Sequence, residues 1–193
     1  MRSSFLALTH RPGELKSTSG PPPPAVGPPS APFELGKALD SSSDYDRIFQ
    51  VVRGAVRHVL GLERPGLGLA LSNLPPQLGA YWQITGNLIV LNEGLVAAME
   101  ANAASVREFN SFVYVILAHE YLHALGYLGE AEVRQVTAYV TRAAFGNHHP
   151  ATKMAEGDLW RLYPFLQYAP RGDGRKFKVV TRFDTDTTSR YIR

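Results

Sequence analysis

The chain has 193 residues, no cysteine and a formal net charge of +3. That length suffices for one domain with its own core plus tails, and the absent cysteine excludes disulfides, cysteine-ligated zinc fingers and thiol catalysis. The apolar run near the N-terminus is too short for a signal peptide, and no segment approaches the ~18 apolar residues of a membrane span, so the expectation is a soluble, cytoplasmic protein without membrane contact.

Residues 1–40 read as a disordered arm. Gly20-Pro21-Pro22-Pro23-Pro24, followed by Pro28, Pro29 and Pro32, favours polyproline II and cannot build a packed core. A spacer is the plain reading, and a protein partner with an aromatic groove is the alternative. A first helix should begin near Ser43 as N-cap, with Asp44 and Asp46 in its first turn. Ile48, Val52, Ala55 and Val59 repeat at helical spacing, and Gly61 ends the run.

Three short strands follow, over residues 67–72, 80–84 and 88–91. The last two flank Thr85-Gly86-Asn87 and read as a hairpin. A helix is expected from Glu93 to Ala101, and another from Ser105, whose S-x-x-E spacing to Glu108 forms a capping box. The run from Phe112 to Ala118 is almost wholly apolar, as in a helix buried on every side. Gly126 stops that helix. A further helix spans Glu130 to Phe145 with Val133, Val136, Val140 and Ala144 on its buried stripe. A short helix near Ala155 to Leu162 and a basic strand over Lys176 to Phe183 close the chain. The expected organisation is α+β: a small, mostly antiparallel sheet packed on an N-terminal helix and a buried central helix. The domain would cover residues 41–170, with 171–193 as a basic strand and tail. That tail favours a solvated surface or a protein partner over nucleic acid.

The chemistry lies at the end of the buried helix, in His119-Glu120-Tyr121-Leu122-His123. Positions i and i+4 share a helix face, so both imidazoles can point at one metal ion. Glu120 lies one step round, where it can reach a water on the metal and not the metal itself. A catalytic zinc needs a third protein ligand. Glu130 is placed to return beside His123 if the helix restarts just after the turn. Glu132 points about 200° away from Glu130 on such a helix, and it and His149 are the alternatives. Candidates to stabilise an oxyanion are Tyr127, Tyr139, Arg134 and His149.

His119-Glu120-Tyr121-Leu122-His123-Ala124-Leu125-Gly126 resembles the active-site helix of the zincin metallopeptidases. The longer metzincin pattern fails at its last position, which is Gly129 here. Glu130-Ala131-Glu132-Val133-Arg134 is similar to the gluzincin segment that supplies a glutamate ligand, with Val and Arg in place of Ala and Asp. The resemblance implies a zincin-like fold and a Zn2+ cofactor. It also implies an edge strand that binds extended substrate, for which residues 80–91 are the candidate, and hydrolysis of peptides or unfolded protein segments with Glu120 as general base. It also leaves room for a regulatory or binding protein with weak or single-partner peptidase activity.

Overall fold

The computed structural model describes residues 31–83, 86–172, 174 and 176–180. Helix α1 spans Ala31–Asp40 and α2 spans Tyr45–Leu60. Strands β1 (Gly68–Ser72), β2 (Ala80–Trp82) and β3 (Leu88–Asn92) follow, then α3 (Glu93–Asn102) and α4 (Val106–Ala124). The remainder is α5 (Glu130–Phe145), α6 (Pro150–Glu156), α7 (Leu159–Leu162), a 3-10 turn (Pro164–Tyr168) and β4 (Phe177–Val180). The chain is therefore α+β, as expected from the switch between helical and strand periodicity.

The sheet has the order β2-β3-β1-β4. β2 pairs antiparallel with β3, with Tyr81 opposite Val90. β4 pairs antiparallel with β1, and β1 pairs parallel with β3. The sheet is thus mixed, with two of its three pairings antiparallel. Its fourth strand is the one expected in the basic segment 171–193, and its pairing with β1 joins residues 177–180 to the domain's sheet. Phe183 and the rest of the expected strand, along with the basic residues Arg182, Arg190 and Arg193, lie outside the described residues, as does Thr85 of the hairpin turn.

Helix α4 is the axis of the fold. Every residue from Asn110 to Ala124 is buried, and the helix packs against α1, α2, α3, α5, α6, β2 and β3. Its apolar run is needed because neighbours contact it on all sides. The N-terminus is capped by Ser105 Oγ, which accepts from the Glu108 N–H at 3.2 Å. Glu108 returns the bond to the Ala104 N–H at 2.7 Å, one residue before the cap. At the other end Gly126 takes a φ of 104°, a conformation open to glycine. The reversal brings α5 back beside α4, where Glu130 and Glu132 occupy its first turn and complement the helix dipole.

The arm expected over residues 1–40 ends earlier than its composition suggested, because Ala31–Asp40 is helical. Leu39 is fully buried, and the Asn110 side-chain amide donates to the carbonyls of Leu39 and Ser42 at 2.9 Å each. Apolar burial and these two bonds fix the helix despite Pro32 beside it. The proline sits in the first turn, where its missing N–H costs nothing. Residues 1–30 lie outside the described residues. The N-cap of α2 is Asp44, one residue after the expected Ser43, and it accepts from the Arg47 N–H at 2.9 Å. No helix among the described residues is long and apolar enough to cross a membrane.

Candidate metal centre

His119 and His123 lie on the last two turns of α4, and Glu130 opens α5. The three side chains meet. His119 Nε2 and His123 Nε2 are 3.1 Å apart. Glu130 Oε1 is 3.2 Å from His123 Nε2, and its Oε2 is 3.4 Å from His119 Nε2. One ligand atom from each residue lies within 4.8 Å of the others, a group that could hold a metal ion.

The donors are oriented for that task. His123 Nδ1 is 2.8 Å from the Tyr127 carbonyl oxygen. That acceptor holds the ring proton on Nδ1 and leaves the Nε2 lone pair facing the cluster. Both Glu130 oxygens are buried without a hydrogen-bond partner of good geometry. Unpaired buried carboxylate oxygens are costly, and a cation at the point shared by the three side chains would remove that cost. Burial favours a neutral Glu130 carboxyl, but the His119 and His123 imidazoles outweigh it and hold the group down at about 2. Burial also lowers His119, against the pull of Glu130. For His123 burial opposes the charged form, yet Glu130, Glu120 and the Tyr127 carbonyl together raise it. An anionic carboxylate facing two imidazoles is a suitable donor set for a divalent ion.

Glu120 is 1% exposed. Burial pushes its carboxyl up to about 7, with the charge of His123 and the Trp82 backbone N–H pulling the other way. That N–H is free for the purpose. Asn92 N–H donates to Gly79 and Gln83 N–H to Leu88, so alternate residues of β2 face β3 and Trp82 faces the open edge. Glu120 Oε1 has no partner.

A cavity of about 130 Å³ opens beside the centre. His119 and Glu120 form one wall, Val115, Ile116, Met154 and Leu159 supply apolar surface, and Arg134 and Thr137 come from α5. Glu130, Arg134 and Thr137 stand at helical spacing, so one face of α5 lines both the centre and the cavity.

The structure brings together His119, His123 and Glu130, with Glu120 alongside, and leaves the alternatives outside. His149 is not near the centre. It caps α6, accepting the Ala151 N–H on Nδ1 at 3.1 Å, while its Nε2 lies 3.0 Å from Asp40 Oδ1. The two residues before Pro150 thus mark a helix start five residues ahead of the expected one at Ala155. That removes His149 both as a ligand and as an oxyanion donor. Glu132 is exposed and outside the ligand group. Among the oxyanion candidates Arg134 lines the cavity, and Tyr139 does not. Tyr127 contributes its carbonyl. Sequence reading could not find Trp82 or the Tyr127 carbonyl, because backbone groups carry no residue-type signal.

Comparison with family models, curated proteins and solved structures returns no match to this chain.

Proposed function

We propose that this chain is a zinc-dependent peptidase acting on peptides or unfolded protein segments, with a gluzincin-like zincin arrangement. The observation that carries the reading is the convergence of the donors: the two Nε2 atoms are 3.1 Å apart, and each has one of the two Glu130 oxygens at 3.2 or 3.4 Å. Ligands about 2.0–2.1 Å from a tetrahedral zinc stand ~3.3 Å from one another. His119, His123 and Glu130 would hold the ion.

Zinc bound there would lower the pKa of a water and polarise a carbonyl. The Glu120 carboxylate would take the water's proton and deliver it to the departing amine. The open edge of β2 offers an extended substrate a strand to pair with. The cavity takes an apolar side chain next to the cleaved bond; its volume is comparable to that of cavities that admit a benzene ring. Arg134 is the candidate for stabilising the oxyanion, since it lines the same cavity. A cytoplasmic setting belongs to the same proposal.

Glu120→Gln tests it. The variant should keep the zinc content of the wild type and lose casein hydrolysis by roughly 100-fold or more. Loss of zinc from the variant would make Glu120 a ligand or a fold determinant. Wild-type protein that holds zinc and cleaves nothing in a broad peptide panel would favour a regulatory or binding role for the same site.

A further inference from the structure

Two elements meet at Glu120, helix α4 and edge strand β2. β2 is three residues long and has one neighbour in the sheet, so its ladder alone fixes its position weakly. A second restraint comes from Arg64, in the segment between α2 and β1. The Arg64 backbone N–H donates to the Tyr121 hydroxyl at 2.7 Å. Its guanidinium Nη1 donates to the carbonyl of Ala124, the last residue of α4, at 2.6 Å. Nη2 donates to the Gly86 carbonyl at 3.2 Å and to Asn87 Oδ1 at 3.1 Å. The same Gly86 carbonyl accepts the Trp82 indole N–H at 2.9 Å, and the guanidinium carbon stands 5.1 Å from the centre of the Trp82 ring.

One planar cation therefore joins the end of the helix that carries both histidines to the hairpin turn and to the Trp82 ring of β2, the edge strand packed on that helix. The Ala124 carbonyl is one of the orphan acceptors at a helix C-terminus, and Arg64 satisfies it while reaching the hairpin turn with its other arm. A lysine, with a single point of charge, cannot serve both acceptors at once.

We propose that Arg64 is a positioning residue for hydrolysis: it fixes β2 against the end of α4, the helix that carries Glu120 and both histidines. The inference rests on the reading of Glu120 as the general base. A base held loosely cannot stay within hydrogen-bond reach of its water, and misplacement by about 1 Å costs up to ~100-fold in rate.

The test uses zinc-loaded full-length Arg64→Lys and Arg64→Ala proteins, with hydrogen exchange at single backbone amides and turnover of labelled casein as readouts. The Trp82 amide points away from β3, so its protection depends on how β2 lies against α4, whereas Tyr81 is protected by its pairing with Val90. Exchange at Trp82 should rise roughly 10-fold or more in both variants, with Tyr81 unchanged and zinc content kept. Turnover should fall roughly 10- to 100-fold through kcat, and lysine should not rescue it. Wild-type exchange at Trp82 in both variants, or wild-type kcat in either, overturns the proposal. Equal loss of protection at Tyr81 together with loss of zinc would also overturn it, by showing a general folding role. A wild-type protein that cleaves no casein defeats the peptidase reading alone, and Trp82 exchange still decides whether Arg64 holds the strand.

Discussion

His123 Nδ1 lies 2.8 Å from the carbonyl oxygen of Tyr127, one residue past the glycine that ends α4. The turn therefore does two things at once. It sends α5 back so that Glu130 meets the histidines, and it supplies the acceptor that sets the tautomer of one of them. Substituting Gly126, which holds a φ of 104°, should disturb both. Gly126→Ala is expected to cost about 1–2 kcal/mol from the left-handed conformation and to weaken zinc binding by roughly 10- to 100-fold through the misplaced acceptor. Thermal melts and a zinc titration on the same sample check the two effects together.

Helix α1 should carry stability. Leu39 is completely buried, and its helix packs against α2, α4 and α5, so Leu39→Ala is expected to cost ~3 kcal/mol, a core truncation. In a domain of this size that is a fall of roughly 6–12 °C in melting temperature. A change of less than about 2 °C would show that the helix is not docked in solution.

His149 predicts the acid side of the stability profile. Burial lowers it from its ordinary value of 6.5, against the pull of Asp40. The folded protein thus binds this proton less readily than the unfolded chain does. The stability it contributes is complete above 6.5 and is lost as pH falls through the folded value. His149→Asn keeps a side-chain acceptor for the α6 cap but cannot titrate. Its melting temperature should fall less steeply than the wild type's between pH 7 and pH 5. Parallel curves would remove His149 as a contributor.

The cavity beside the centre should set side-chain preference. Met154 is buried in its wall, and Met154→Ala enlarges it by several heavy atoms. Relative to leucine, peptides with phenylalanine or tryptophan next to the cleaved bond should gain roughly 10-fold in kcat/KM. An unchanged ranking would place the substrate elsewhere.

The parts of this molecule that were legible in the sequence are those written in side-chain type and spacing. The buried character of α4, its Ser105 cap, the hairpin of β2 and β3, and the pair of histidines all follow from periodicity and motif. Glu130 followed from the tight turn. The docking of α1 was not legible, because Leu39 and Asp40 follow a proline-rich stretch and their partners, Asn110, Arg107 and His149, are distant in sequence. The role of His149 was hidden for the same reason, since a histidine before a proline reads as a ligand or a surface residue until its contact with Asp40 is seen. The parallel pairing of β1 with β3 depends on the strand order, which no local pattern encodes. Trp82 and Tyr127 act through backbone atoms, and Arg64 acts through carbonyl groups on two other elements.

The central claim is that His119, His123 and Glu130 together form one zinc site. A zinc titration against a competing chelator, run on wild type, Glu130→Ala, Glu132→Ala and His149→Ala, tests it most directly. Wild type, Glu132→Ala and His149→Ala should bind zinc stoichiometrically with similar affinity. Glu130→Ala should bind it more than roughly 100-fold more weakly, beyond the loss typical of an outer-shell residue. Wild-type affinity in Glu130→Ala, or no zinc binding by the wild type, would contradict the account.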